Sequence, residues 1–370
     1  MPDTAAPYRA EEVGSLLRTV PLKQARASRA KGEITPAELA AVEDEEIRKI
    51  VRKQEEVGLK LATDGEFRRT WWQFDFYDGL DGVEIYDAEK GIQFKGIETA
   101  ARALRVTGKV DFPADHPMLE HFKFLKANCK VTPKITVPAP ANLHFRNGRK
   151  TVSKEVYADL GPFFDDLATS YGKAIKAFYD AGCRYLQLDD TTWGYLCSPE
   201  QRAEAKTRGD DNVDELPGIY AEITNRALKS KPADMIVTTH VCRGNFRSRW
   251  ISEGGYEPVA ELLLGGINYD GYFMEWDTER AGGLEPLRFL PKGKKRVVVG
   301  LVTSKSGALE KKDDIKRRLD EAAKYAPLDQ LCLSPQCGFA STEEGNVLTE
   351  EEQWAKLRLV VDVAREVWGD

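Results

Sequence analysis

Three short segments of this chain carry residues able to bind a soft metal. His240-Val241-Cys242 sets an imidazole and a thiol two positions apart. Glu275 sits in Phe273-Met274-Glu275-Trp276-Asp277, and Cys337 in Ser334-Pro335-Gln336-Cys337-Gly338. Two thiolates, an imidazole and a carboxylate are ligand types that zinc takes. Residues two apart in extended chain project to the same side, so His240 and Cys242 can reach one ion. The segments lie too far apart in sequence to wrap a metal locally, so a preformed scaffold must bring them together. Two thiolates and a carboxylate leave zinc a mild Lewis acid, suited to holding an incoming thiol as a nucleophilic thiolate. Water-activating sites more often use His and carboxylate ligands. Taken singly, each residue has a plain structural explanation: a hydrogen-bonded His, a small buried Cys.

The scaffold is legible as alternating apolar runs and helical patterns. Strands are expected at 131–137, 184–189, 234–240, 268–275, 296–302 and 330–334, each followed by a helix. The helices are expected at 155–180, 216–228, 257–264, 284–290, 312–325 and 350–368. At 155–180, apolar residues recur at helical spacing and the run stops at Ala181-Gly182. The strands are almost continuously apolar, as in parallel sheets buried on both faces. Residues 12–17 and 58–64 add two strands, with a strong helix at 36–57 between them. Eight strand-helix units predict an α/β fold, a (β/α)8 TIM barrel spanning 1–370 as one domain. A doubly wound open sheet is the alternative, but the first unit has no Gly-rich phosphate turn. The aromatic and charged stretch 68–130 reads as an insertion after the second strand, with a small antiparallel ribbon. The three candidate metal segments then all fall at carboxyl ends of barrel strands, where such folds place their active sites.

The order His240, Cys242, Glu275, Cys337 resembles the catalytic carboxy-terminal barrel of the cobalamin-independent methionine synthases. The resemblance runs from Gly14-Ser15 to the carboxyl end and is closest to the short, single-barrel relatives. It implies zinc held by those four residues and methyl transfer to homocysteine, giving methionine, with a methyl-folate as a possible donor. Gln187-Leu188-Asp189-Asp190-Thr191 matches a family Q-x-D-E-P segment whose first Asp binds the substrate amine, which implies that role for Asp189. Glu66, in Thr63-Asp64-Gly65-Glu66, matches a second amine-binding carboxylate, with Asp64 as the alternative. Gly14-Ser15 matches a family G-S that contacts the amino-acid carboxylate. Two carboxylates around one ammonium suit its three donors.

The chain also departs from the family pattern. Asp190 and Thr191 replace Glu and Pro. A family His proposed as acid for the departing folate falls on Lys305, a candidate acid or anion clamp. No folate-stacking Trp segment is evident; Trp71, Trp72 and Trp193 are candidate replacements, and Arg243, Arg247 and Arg249 candidate anion clamps. Two rival readings remain. The short relatives include epoxyalkane:coenzyme M transferases, but Asp189 and Glu66 would repel a sulfonate. A non-catalytic zinc-binding barrel is the rival of another class.

Composition narrows the partners. The 370 residues are 42% hydrophobic and 31% charged, with net charge −6, which argues against a general nucleic-acid binder. No stretch approaches the ~20 consecutive apolar residues of a membrane helix. Residues 1–9 show no signal-peptide pattern, and six cysteines in this length form no disulfide framework, so a cytoplasmic protein is expected. The expected partners are a small thiol and a methyl donor. The oligomeric state is left open, with a homo-oligomer admitted.

Overall fold

The apolar runs become strands buried on both faces. The computed structural model describes residues 5–207 and 213–369, so residues 1–4 of the amino-terminal reading lie outside it. Among the described residues the strands are β1 (Leu61–Ala62), β2 (Asp81–Asp87), β3 (Gln93–Phe94), β4 (Ile97–Glu98), β5 (Arg102–Asp111), β6 (Thr132–Pro138), β7 (Tyr185–Asp190), β8 (Ile236–Val241), β9 (Gly271–Glu275), β10 (Arg296–Val302) and β11 (Leu331–Pro335). β1 and β6 through β11 form one parallel seven-stranded sheet in chain order. Helices Leu160–Asp180, Leu216–Leu228, Lys312–Ala322 and Glu350–Trp368 stand between or after the strands as expected. In place of the helices expected at 257–264 and 284–290, Glu257–Ala260 form a short helix continued by a π-helical turn, Glu261–Gly266, and Glu285–Phe289 form a 3-10 turn. No helix among the described residues is long and apolar enough to cross a membrane.

The sheet curls, and the amino-terminal segment lies between its two edge strands. Ala10 bridges Leu333 of β11 in parallel, the Glu11 amide donates to the Leu333 carbonyl at 2.9 Å, and the Leu16 amide donates to the Gly65 carbonyl at 3.0 Å. The strand expected at 12–17 is thus replaced by a bridge at Ala10 and a few hydrogen bonds. Gly14 has φ +148°, and the Leu17 amide is taken by the Gln353 side chain at 2.7 Å, so a regular ladder cannot continue there.

Between β1 and β6, β2 pairs antiparallel with β5 and β3 with β4, giving the expected ribbon and a second, smaller hairpin. Helix Pro117–Asn128, at the end of the 68–130 stretch, instead packs on β6 with the other sheet-covering helices.

Side chains two apart along the strands meet inside the curl. The fully buried Lys134 ammonium lies 3.4 Å from Glu11 Oε2 and 4.2 Å from the Phe273 ring centroid, and it also donates to the Glu12 carbonyl. The Tyr185 hydroxyl donates to Glu11 Oε1 at 2.9 Å, and Gln187 Nε2 to the Val13 carbonyl at 2.7 Å. Burial pushes both acids up, Glu12 to about 7, while Lys134 opposes the shift. One ammonium therefore holds the amino-terminal segment against the sheet. Removing one partner of a buried pair costs about 3–5 kcal/mol. Lys134→Met should lower unfolding stability by about that amount in denaturant titration, and adding Glu11→Gln should recover part of the loss.

Candidate metal centre and substrate pocket

β8 carries His240 near its end and Cys242 one residue past it; β9 ends on Glu275; Cys337 follows β11 by two residues. In register, His240 faces Asp189 of β7 on one side and Phe273 of β9 on the other, and Glu275 faces Gly300 of β10. All four candidate ligands are buried, and their donor atoms lie within 4.8 Å of one another. The two sulfurs are 3.6 Å apart. A tetrahedral zinc with bonds of ~2.3 Å would set two sulfurs ~3.8 Å apart. Both ring nitrogens of His240 are buried and lack a hydrogen-bond partner, a costly arrangement that ligation at either nitrogen would relieve. The donor set and its spacing therefore fit a zinc ion.

The local electrostatics follow from crowding four ionisable groups. A hydrogen bond from Cys242 and the nearby imidazole hold the Cys337 thiol well below its usual range, against burial. The same hydrogen bond, with burial, pushes Cys242 well above it. Burial opposes a charged His240, but Cys337, Asp189 and Glu275 outweigh it and raise the imidazole pKa. Burial likewise opposes an ionised Glu275, yet Lys305, Arg280, His240 and Arg243 hold its carboxyl below the usual range. Glu275 is further fixed by the Arg243 amide at Oε1 (2.8 Å) and the Arg280 guanidinium at Oε2 (2.7 Å). Its backbone amide donates to the Tyr256 hydroxyl at 3.0 Å.

His240, Cys242 and Cys337 open onto a small pocket whose wall also includes Ser15, Glu66 and Asp189. Glu66 is held with φ +60° at the end of the turn after β1; its Oε1 accepts from Thr136 Oγ1 at 3.0 Å, and its buried Oε2 has no partner. Gln187 Nε2 donates to Asp189 Oδ1 at 2.7 Å. Burial raises Glu66, and burial with the nearby Glu66 charge raises Asp189 to about 7. Arg69 Nη1 lies 3.8 Å from Glu66 Oε1 and, with Arg18, opposes that rise, so the wall carries two buried carboxyls, one of them with an arginine beside it. Asp190 is occupied locally, accepting from the Thr192 amide at 2.8 Å, and Asp64 accepts from the Glu66 amide at 2.9 Å. Ser15 Oγ accepts from the Ala340 amide at 3.3 Å, and a side chain at Gly338 would collide with that hydroxyl. Gly14 is not on the pocket wall; a Cβ there would lie 2.6 Å from Thr136 Cγ2, so this glycine admits the residue that steadies Glu66.

Lys305 donates to Asn245 Oδ1 at 3.0 Å and is close enough to bias both Cys242 and Glu275 electrostatically. Trp71 and Trp72 line the pocket, whereas Trp193 is packed in the main hydrophobic core and does not. The Arg243 guanidinium is fully buried, 4.3 Å from the Tyr256 ring centroid, while Arg247 and Arg249 are exposed. A second, larger cavity adjoins the first and shares Gln73, Ile92, Phe94, Arg146 and Tyr195 with it.

Sequence reasoning missed several supporting residues. Arg18 Nη1 donates to the carbonyls of Leu16, Gly65 and Ala340 at 2.9, 3.1 and 3.2 Å, tying together the loops that carry Ser15, Glu66 and Gly338. Nothing in its sequence context marks it. Gln187 had a signal, since it precedes Asp189 by two positions on one strand. Arg280 and Tyr256 had none.

Comparison with known proteins agrees with this architecture. Residues 9–366 match the family model described as the catalytic domain of cobalamin-independent synthase. The chain is 53% identical to an uncharacterized protein, YxjH, of Bacillus subtilis (strain 168), covering 98% of this chain and 95% of that one. The crystal structure of a putative vitamin-B12 independent methionine synthase from Listeria monocytogenes is similar with TM-score 0.80 and 45% identity, over the full length of both chains. A B12-independent methionine synthase from Shewanella sp. W3-18-1, solved with selenomethionine, shares the fold at TM-score 0.73 and 19% identity over 97% of each chain. With the family model spanning nearly the whole curled α/β chain, this protein belongs to the cobalamin-independent methionine synthase family, as its catalytic domain.

Proposed function

We propose that this chain is a zinc-dependent methyltransferase that moves a methyl group onto the sulfur of homocysteine, giving methionine. The observation that carries the reading is the convergence of His240, Cys242, Glu275 and Cys337 beside a pocket walled by Glu66 and Asp189. Zinc bound there would supply a Lewis acid that keeps the substrate sulfur as a thiolate. Glu66 and Asp189 hold the amine, and Ser15 with its neighbouring amides receives the amino-acid carboxylate. Burial of the pocket excludes water and fixes the sulfur facing the donor. The bond from the methyl carbon to its carrier breaks as the sulfur–carbon bond forms, and the electron pair stays with the carrier. Lys305, close enough to Cys242 to act on its thiol, is our candidate for protonating or steadying that carrier. The larger adjoining cavity, walled by Phe74 and Phe94, suits a donor bigger than the thiol, such as a methyl-folate. We read the protein as one barrel domain in which the amino-terminal segment is the eighth stave and residues 68–130 an insertion bordering the donor cavity.

The purified chain should carry one equivalent of zinc by metal analysis. Cys337→Ser should lose the metal, and methionine formation should fall by more than the ~100-fold typical of an outer-shell change. Turnover by a metal-free Cys337→Ser protein would overturn the mechanism.

A competition between homocysteine and coenzyme M separates the amine-binding reading from the sulfonate one. Homocysteine should protect Cys242 from alkylation and coenzyme M should not. Asp189→Asn should raise the KM for homocysteine about 10–100-fold, the size expected for losing a charged hydrogen bond. Protection by the sulfonate thiol alone would favour the other transferase class.

A further inference from the structure

The four candidate ligands are not equally free to meet a metal. His240 has no hydrogen-bond partner at either nitrogen, whereas both oxygens of Glu275 are engaged, one of them by Arg280. Arg280 is held in turn: Nη2 also donates to Asp277 Oδ1 at 2.8 Å and Nη1 to Thr278 Oγ1 at 2.9 Å, and its side chain is only 6% exposed. Its guanidinium carbon lies 5.2 Å from the Trp250 ring centroid. The Lys95 ammonium lies 5.2 Å from the same centroid. Lys95 sits in the turn between β3 and β4, and three further contacts tie that turn to the 246–253 loop. Its amide donates to the Trp250 carbonyl at 3.2 Å. Its ammonium pairs with Glu253, which also accepts from Trp250 Nε1 at 2.8 Å. The Phe94 ring packs 5.5 Å from that of Phe246. From the same hairpin region, Ile92 and Phe94 border both cavities.

We propose that the β3–β4 hairpin is a lid over the thiol pocket, and that Trp250 and Arg280 are positioning residues that couple its closure to the setting of Glu275. When the hairpin lifts, Lys95 leaves the Trp250 ring and Glu253 loses its ion pair. The ring then keeps only its hydrogen bond to Glu253, and the guanidinium, still bonded to Asp277 and Thr278, loses the brace that steadies its approach to the Glu275 carboxylate. The coupling must run both ways: whatever holds Glu275 in place also favours the closed hairpin. This inference rests on the reading of the four donors as a zinc site. It adds that access to the pocket and the strength of one ligand are a single equilibrium.

Hydrogen exchange on the full chain, with and without zinc, tests it. Zinc should slow exchange of the amides of residues 90–99 by about fivefold or more, the lower end of usual site-to-site coupling. Trp250→Leu should still bind zinc and lose that slowing. Lys95→Ala, at an exposed position that leaves the core untouched, should lose it as well. Arg280→Met should weaken zinc binding about 10–100-fold in competition with a chromophoric chelator. Zinc binding to the wild-type chain with unchanged exchange at 90–99 would overturn the coupling and leave the metal reading standing. So would full slowing retained in both Trp250→Leu and Lys95→Ala. A wild-type chain that binds no zinc would end the metal reading itself, and the coupling with it.

Discussion

Two sulfurs 95 residues apart in sequence come to rest 3.6 Å from each other, with an imidazole and a carboxylate alongside. No hydrophobic force places polar, ionisable groups that close. The arrangement exists because parallel strands in a curled sheet end at one mouth, and each ligand is at or just past a strand end. The curl in turn depends on closing the gap between β1 and β11, which the amino-terminal segment does with few backbone hydrogen bonds. Lys134 compensates from inside, joining Glu11 and the Glu12 carbonyl to β6. The site is thus held from beneath by one buried ion pair and from above by loops that Arg18 ties together.

The charge balance at the mouth has a direction. Glu66 and Asp189 are pushed upward by burial, and the hydrogen bond between the two cysteines pushes Cys242 up and Cys337 down. Arg69, 3.8 Å from Glu66, offsets part of that carboxyl's burial, while one Glu66 oxygen and both His240 nitrogens make no hydrogen bond. A divalent metal at the sulfurs and an ammonium at the carboxyls would each relieve part of that cost. The same acids disfavour a thiol whose far end is anionic. Specificity for an amino-acid thiol would then arise from repulsion as much as from attraction.

The excursion between β1 and β6 brings a second level of control. Its β3–β4 hairpin reaches the loop that follows Cys242, and through Trp250 it approaches the arginine that braces Glu275. A wall that could have been passive is mechanically linked to one candidate ligand.

The sequence by itself determined the parallel strand order, the helices with helical spacing and caps, and the four metal-type residues. Buried two-sided strands must be apolar throughout, and a metal site needs rare residue types, so both leave strong local traces. Gly14-Ser15, Glu66 and Asp189 were readable through family resemblance; of these, Ser15, Glu66 and Asp189 meet at the pocket wall. The amino-terminal strand was misread, because φ +148° at Gly14 and the side-chain capture of the Leu17 amide are invisible in a pattern of residue types. Trp193 looked like a pocket aromatic but belongs to the core, since which face of a short helix is buried depends on its neighbours. Arg18, Tyr256 and Arg280 carry no local signal at all. Their partners are carbonyls, a peptide group and a carboxylate supplied by other segments, so only the tertiary structure could decide what they do.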